Sequence, residues 1–513
     1  MNRILALLLC ALLILSLLGC GKEDGAYTPT GKGLYTEEQA ATEAQADDDK
    51  NSGFLVLAYY PEESLNPFEA INYTNRTLFS LLYQGLFAVD RNYQTEPILC
   101  KRFVMSDDMR TYTFYLEDAT FSDGSKMTAA DVVASYQAAI AGKVYGGRFS
   151  HVSQISLTED GGITFSLDTA MENLPILMDI PIVKAEEVES PRPQGTGPYC
   201  YENASSGLRL RRRSDWWCTS DLMITASSIP LRQVDSVLTV RDEFEFSDVG
   251  LALSDPCSDT YVDYRCDYEL WDCENGIFLY LGCNTDSKVF SNLNIRAALT
   301  YAIDRETISD TFYRGFSQPA SLPASPSSPY YSPQLAQRYS FDQQKFAQAV
   351  TDAGFTGMEI QFLVNQDDTM RLRVARQIGQ TLSDCGLKVT MVEVSNTRYH
   401  EQLLYGTYDL YLGQTQMSAN MDLSPFFRTY GTLRYGGMVD AALYALCQQA
   451  LANQGNYYNL HENVMKDGRL CPILFHTYSV HATRGLLTGL APARDNVFYY
   501  SLGKTMTDAL TAQ

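Results

Sequence analysis

The chain has 513 residues, 45% hydrophobic and 19% charged, with 61 acidic against 39 basic side chains and a formal charge of −22. That length carries a large core, split between two or three lobes. The acidic balance argues against nucleic acid as a partner, since nucleic acid rewards basic faces, and against electrostatic adhesion to anionic lipid.

The chain opens MNRILALLLCALLILSLLGCGKEDG. Arg3 gives a basic start, and Ile4 to Leu18 is apolar apart from Ser16. The run is shorter than the roughly 20 residues of a spanning helix. With small residues at its end, it reads as a secretory signal over 1–20. Leu17-Leu18-Gly19-Cys20 resembles a bacterial lipobox, which implies cleavage before Cys20 and lipidation of its thiol. Acyl chains on one residue suit stable anchoring, at about 0.8 kcal/mol per buried methylene. The next stretch, 21–52, is rich in Gly, Thr, Ala, Gln and acids and nearly free of large aliphatics, which predicts a disordered tether. The folded body is expected from Gly53 onward.

The body alternates strand-like and helix-like segments. GFLVLAYY (53–60) predicts a buried strand, Thr74 to Gly85 a helix ended by a glycine cap, and Leu86 to Val89 a strand before a turn at Asp90. Thr111 to Leu116 alternates polar and apolar, the pattern of a half-buried strand. Asp123-Gly124 is a turn pair, and Thr128 with Asp131 forms a capping box for a helix buried through Val132, Val133, Tyr136 and Ile140. GITFSLDTA predicts a strand, PQGTGPYCYE a glycine-proline loop entering one, and FLYLGCNTD another. Ile295, Ala298, Leu299, Ala302 and Ile303 share a helix face, with Asp304 placed to cap a second helix. SQPASLPASPSSPYYSP reads as an irregular loop, MEIQFLVN as a strand, Thr369 to Gly386 as an amphipathic helix, and LKVTMVEV and YDLYLGQT as two further strands. Arg209, Arg211, Arg212 and Arg213 read as a solvated strand face. Trp216 and Trp217 read as packing residues.

Of the 12 cysteines, Cys10 leaves with the signal and Cys20 would carry lipid. Cys257, Cys266, Cys273 and Cys283 cluster in sequence. Disulfide formation among them and burial as free thiols both remain open. No C-x-x-C pair marks a metal site, and no cofactor is expected. The sequence has no G-x-S-x-G elbow, no H-E-x-x-H and no Walker loop. Its five histidines include His476 and His481, whose odd spacing on a strand puts them on opposite faces. An enzyme is not expected.

Taken in order, several of these stretches resemble the extracellular solute-binding proteins of family 5, the oligopeptide/dipeptide type that serves ABC importers. SLNPFEA is similar to the family's "LNP" start, and YTFYLEDATFSDGSKMTAADVVASY to its strand–turn–helix signature. GTGPY (195–199), RRRSDWW, NIRAALTYAIDRETI with Gly315, and YGTYDLYL follow in the family's order. The resemblance implies an α/β, two-lobed, periplasmic-binding-protein-like fold of type II, a Venus flytrap, with an extra subdomain in the first lobe. It places the first lobe at 53–283 (extra subdomain 90–194), the second at 284–470, and a return to the first at 471–513. Hinge crossings fall near Gly282-Cys283 and Cys471-Pro472.

In peptide-binding relatives the ligand lies extended and pairs with protein backbone. The matching strand here is Leu412 to Met417, and Asn72 and Tyr73 match the first-lobe turn. Relatives place an aspartate after the strand for the peptide's amino terminus. Here, in QTQMSANMDLSPFF, Ala419 holds that position and Asp422 falls on a later acid. Either Asp422 or another acid takes the role, or the protein does not grip a free α-amine. Tyr399 sits near a cleft aromatic of relatives, or in the core. The resemblance thus offers Asn72, Tyr73, Tyr399, Thr415, Gln416, Met417, Ala419, Asn420 and Asp422 as ligand-binding residues. It implies a lipid-anchored monomer at the extracytoplasmic face of the cell membrane, passing a peptide to an ABC permease and its ATPase. An oligosaccharide or other solute, or a sensory role, are the alternatives.

Overall fold

A computed structural model describes residues 55–509, except 219–221, 223, 259, 260 and 488. The expected signal, Cys20 and the tether lie outside the described residues. Within them no helix is long and apolar enough to cross a membrane.

Among the described residues, seventeen strands carry the architecture. β1 (Leu57–Tyr59) opens the body. β2 (Phe87–Val89) and β3 (Thr95–Pro97) form a pair, and β4 (Cys100–Met105), β5 (Thr111–Leu116), β6 (Val152–Leu157) and β7 (Ile163–Leu167) form a separate antiparallel sheet in the order β4-β5-β7-β6. Then come β8 (Tyr199–Ala204), β9 (Gly207–Arg212), β10 (Ser228–Gln233), β11 (Leu251–Ser254) and the long β12 (Tyr268–Cys283). β13 (Ser317–Pro319), β14 (Glu359–Asn365), β15 (Lys388–Val394), β16 (Leu410–Gln416) and the long β17 (Leu470–Thr483) complete the set. The main sheet runs β15-β14-β16-β12-β17-β11-β1-β10-β9-β8, with β13 also on β17.

β12 and β17 pair antiparallel along nearly their full lengths and so form the ribbon shared by both halves of the sheet. Their register shifts twice, between Glu274 and Phe278, around Gly276, whose φ is +79°, and again between Leu279 and Tyr280. Beyond the first shift β12 also pairs β16. Two large cores pack against the sheet, and β12, β14 and β16 send alternate residues into each. One gathers β14, β16 and the far ends of β12 and β17 with the helices Leu293–Ala298, Arg305–Tyr313, Gln343–Asp352 and Thr369–Asp384. The other runs from β1 and the β4–β7 sheet on to Phe278 and Tyr280 of β12, Leu363 of β14, Tyr411 of β16 and the helices Ala441–Ala452 and Tyr457–Asp467.

Local chemistry explains the elements. The helix Ala129–Ala141 starts at its capping box, where Thr128 N–H donates to Asp131 Oδ2 at 2.8 Å, and buries Val132 and Tyr136. Asp304 caps Arg305–Tyr313 through Thr307 N–H at 3.1 Å. In GTGPY, a side chain at Gly197 would run into the backbone of Leu81 and Leu82, because Gly197 N–H donates to Leu82 O at 2.9 Å. The segment expected as one helix over 74–85 is two short ones, Tyr73–Thr77 and Phe79–Leu82, and the second ends at Tyr83 in an extended conformation, not at a glycine. The Pro/Ser stretch contributes β13 to the sheet, because Ser317–Pro319 lies along the long β17.

Arg213 departs from the expected solvated face. It is 4% exposed and donates to the carbonyls of Thr120 and Gly197, tying the GTGPY loop down. Arg209 and Arg211 pair with Glu202, and Arg212 stays exposed. The indoles of Trp216 and Trp217 donate to Thr196 O and Gln84 Oε1. All ten cysteines among the described residues are free thiols, eight of them buried, including Cys257, Cys273 and Cys283.

Candidate functional site

A cleft of about 370 Å³ lies between the end of β16 and the helix that begins at Tyr73. One wall is Thr415, Gln416, Met417, Ser418, Asp422 and Phe426, and the facing wall is Ile71, Tyr73, Arg76, Lys143, Tyr145 and Arg148. Asp495 closes the floor. A smaller cavity of about 60 Å³ lies behind it and shares Arg76, Tyr145 and Asp495.

The β16 wall has an unpaired strand edge. β14 pairs β16 only at Leu410 and Tyr411, and from Leu412 onward β12 is the one strand partner among the described residues. Backbone groups in an antiparallel pair alternate between the two edges. Met417 N–H donates to Gly276 O at 2.8 Å, which sets the parity: Thr415 and Met417 turn their backbone to β12. Leu412, Gln414 and Gln416 turn theirs the other way, and the Leu412 carbonyl accordingly accepts the Tyr399 hydroxyl at 2.7 Å. Gln416 is exposed in the cleft.

The floor is a buried charge cluster. Asp495 accepts from Arg76 Nη2 at 3.1 Å and from Arg148 Nη2 at 2.5 Å, while Arg148 Nη1 reaches Asp179 at 2.6 Å. Both guanidinium groups also lie over the Tyr145 ring, at 5.9 and 5.1 Å. Burial alone would raise the Asp495 carboxyl, but the charges of Arg148, Arg494 and Arg76 hold it far below the carboxylate range. Burial does raise Asp179 and Glu274. Arg494 donates to the Met417 carbonyl and packs against Gly276, so the end of β16, the register shift of β12 and the C-terminal segment meet at one side chain. Burial pushes the Tyr73 hydroxyl up to about 12, and its ring stacks on Tyr478 at 6.1 Å.

Asp422 is committed elsewhere. Its Oδ2 lies 3.1 Å from His151 Nε2, its Oδ1 accepts Ser424 N–H at 2.8 Å, and His151 Nδ1 lies 2.8 Å from Asp168. Burial works against both charges in this pair. The hydrogen bonds and opposite charges still win, lowering Asp422 and raising His151.

Of the sequence candidates, the structure brings Tyr73, Thr415, Gln416, Met417 and Asp422 into the cleft. Asn72 stands beside it as the N-cap of its helix, accepting from Thr74 and Asn75 N–H. Tyr399 is 3% exposed and supports β16 from beneath. Ala419 and Asn420 are buried, and the Asn420 carbonyl accepts the Tyr457 hydroxyl. Arg76, Tyr145, Arg148, Asp495 and His151 escaped the sequence reading. They span positions 76 to 495 and share no local motif.

A two-lobed α/β body with a cleft between an open strand edge and a facing aromatic-cationic wall is the frame of a solute-binding protein. The family model for bacterial extracellular solute-binding proteins, family 5, matches residues 94–437, and the chain belongs to that family. Among curated relatives, the glutathione-binding protein GsiB of Escherichia coli is 24% identical over 342 residues, 63% of this chain. The match spans 66% of that relative's length, just under two thirds. Among solved structures, HbpA2 of Haemophilus parasuis superposes with TM-score 0.71 at 19% identity, over 87% of this chain and 99% of that one. The substrate-binding protein CtaP of Listeria monocytogenes gives 0.70 at 20% identity (86% and 97%). A putative peptide-binding protein AppA of Clostridium difficile gives 0.70 at 16% identity (87% and 98%).

Proposed function

We propose that this protein is the substrate-binding component of an ABC importer that takes a peptide in the cleft and hands it to a permease, acting as a binding protein and not as an enzyme. The observation that carries this reading is the unpaired edge of β16 at Gln414 and Gln416, which offers a main chain the hydrogen bonds of a missing strand. The peptide-type names of relatives support it, glutathione-binding GsiB and peptide-binding AppA among them. The same reading includes a lipid anchor at Cys20, a monomeric body at the extracytoplasmic face, and lobes meeting near 283/284 and 470/471 with an extra subdomain over 90–194. The shifted register around Gly276 gives the ribbon a place to bend.

Native mass spectrometry of the full chain, purified without refolding, tests this. An adduct that fragments into short peptides is expected. A homogeneous non-peptide adduct, such as an oligosaccharide, would overturn the peptide assignment while leaving the family intact.

A further inference from the structure

The carboxylates that line the cleft are Asp422 and Asp495, and both are engaged. Asp422 holds His151 and Ser424 N–H. Asp495 holds two arginines. The cations are less fully used. Arg76 places Nη2 on Asp495 but keeps 20% of its side chain exposed. Lys143 lines the same wall, is exposed, and makes no ion pair among the described residues. Position 419, where an amine-binding acid would stand, is a buried alanine. An ammonium drawn into this cleft would find no free carboxylate among the described lining residues, and an unpartnered buried charge is strongly disfavoured. An anion would find two cations, one with a planar donor fork.

We propose that the cleft selects its ligand by an anionic group, a peptide carboxylate met by Arg76 and Lys143, and leaves the peptide's α-amine unbound. This rests on the peptide reading above. It predicts that amino-blocked and acidic peptides are ligands, and that the two ends of a peptide contribute unequally.

The test is titration calorimetry on the full chain in detergent with short peptides in matched forms: free, N-acetylated, C-amidated, and with Glu replaced by Gln. Acetylation is expected to change Kd less than threefold. Removing the negative charge that the cleft reads, by amidation or by Glu to Gln, is expected to weaken binding at least tenfold. Lys143→Ala is the variant of choice, because its side chain is exposed and its loss leaves the buried cluster intact. It should shrink the difference between charged and neutral forms while Tm stays unchanged. A tenfold loss on acetylation, or equal affinity for charged and neutral forms, overturns the inference and leaves the peptide reading standing. If none of the peptides binds, the peptide reading falls and this inference falls with it.

Discussion

Replacing His151 with alanine strips Asp422, which is 8% exposed in the parent, of its counter-charge. Breaking a buried pair by removing one partner costs about 3–5 kcal/mol. The lower end applies here. Asp168, the second acid on His151, is half exposed and contributes little, and Asp422 can relieve itself by taking a proton. Unfolding entropy for a body of this size corresponds to roughly 1 kcal/mol per degree, so a fall in Tm of about 3 °C follows. A scanning calorimeter or the fluorescence of Trp216, Trp217 and Trp271 reads it. The alanine also leaves a cavity, so the decisive variant is His151→Ala with Asp422→Asn. It keeps the cavity, removes the stranded charge and retains an acceptor for Ser424 N–H. The double variant should recover at least half of the loss, and the deficit of the single variant should shrink in acid as Asp422 protonates. A single variant within 1 °C of the parent, or a double variant no better than the single, would refute the argument that this pair is electrostatically coupled.

Buried neutral histidines weaken the fold in acid. Burial lowers His476 to about 4 and His461 and His481 to about 3. A depressed pKa contributes stability that is full above the unfolded value of about 6.5 and is lost as pH falls. His151, raised, acts in the opposite sense: its contribution is full below about 6.5 and fades as pH rises through its folded value. The three depressed histidines therefore subtract stability between about pH 6.5 and pH 4, while His151 and the burial-raised carboxyls of Asp179, Asp255, Asp272 and Glu274 act in the opposite sense. His461→Leu, at a site where neither ring nitrogen has a hydrogen-bond partner among the described residues, should make Tm fall less, or rise more, from pH 7 to pH 4 than in the parent; an unaltered acid limb would refute the assignment. Gly276→Ala meets a positive φ and the Arg494 guanidinium at once, and should cost about 1–3 kcal/mol by urea unfolding. Reductant should leave Tm unmoved. Of the described cysteines, only the half-buried Cys218 and Cys266 should react with a thiol reagent in the native state.

Local signals were the legible ones. Capping boxes and alternating runs depend on residues a few positions apart, and the helix after Thr128 and the strands β14 to β16 follow their patterns within a residue or two. The single helix expected over 74–85 failed because amphipathic spacing does not reveal the break at Leu78, where the chain turns to bring Gly195 and Gly197 against Leu82. Arg213 was misjudged because its neighbours Arg211 and Arg212 are exposed, and its burial depends on a carbonyl 93 residues away. The strand half of the site was readable from YDLYLGQTQ. The facing wall was not: its arginines are ordinary in sequence, and their partners come from distant segments.

That distance shapes how the molecule comes together. Arg76 and Asp495 are separated by 419 positions, and Arg148 and Asp495 by 347. Closing such long loops adds little entropy beyond that of moderately long ones, so the delay is one of order. A chain emerging from its N-terminal side carries both arginines through most of its synthesis without the carboxylate that neutralises them together. The floor of the cleft is therefore assembled last. Ligand affinity becomes a certificate of completion: a molecule that binds has already joined its earliest helices to its latest segment.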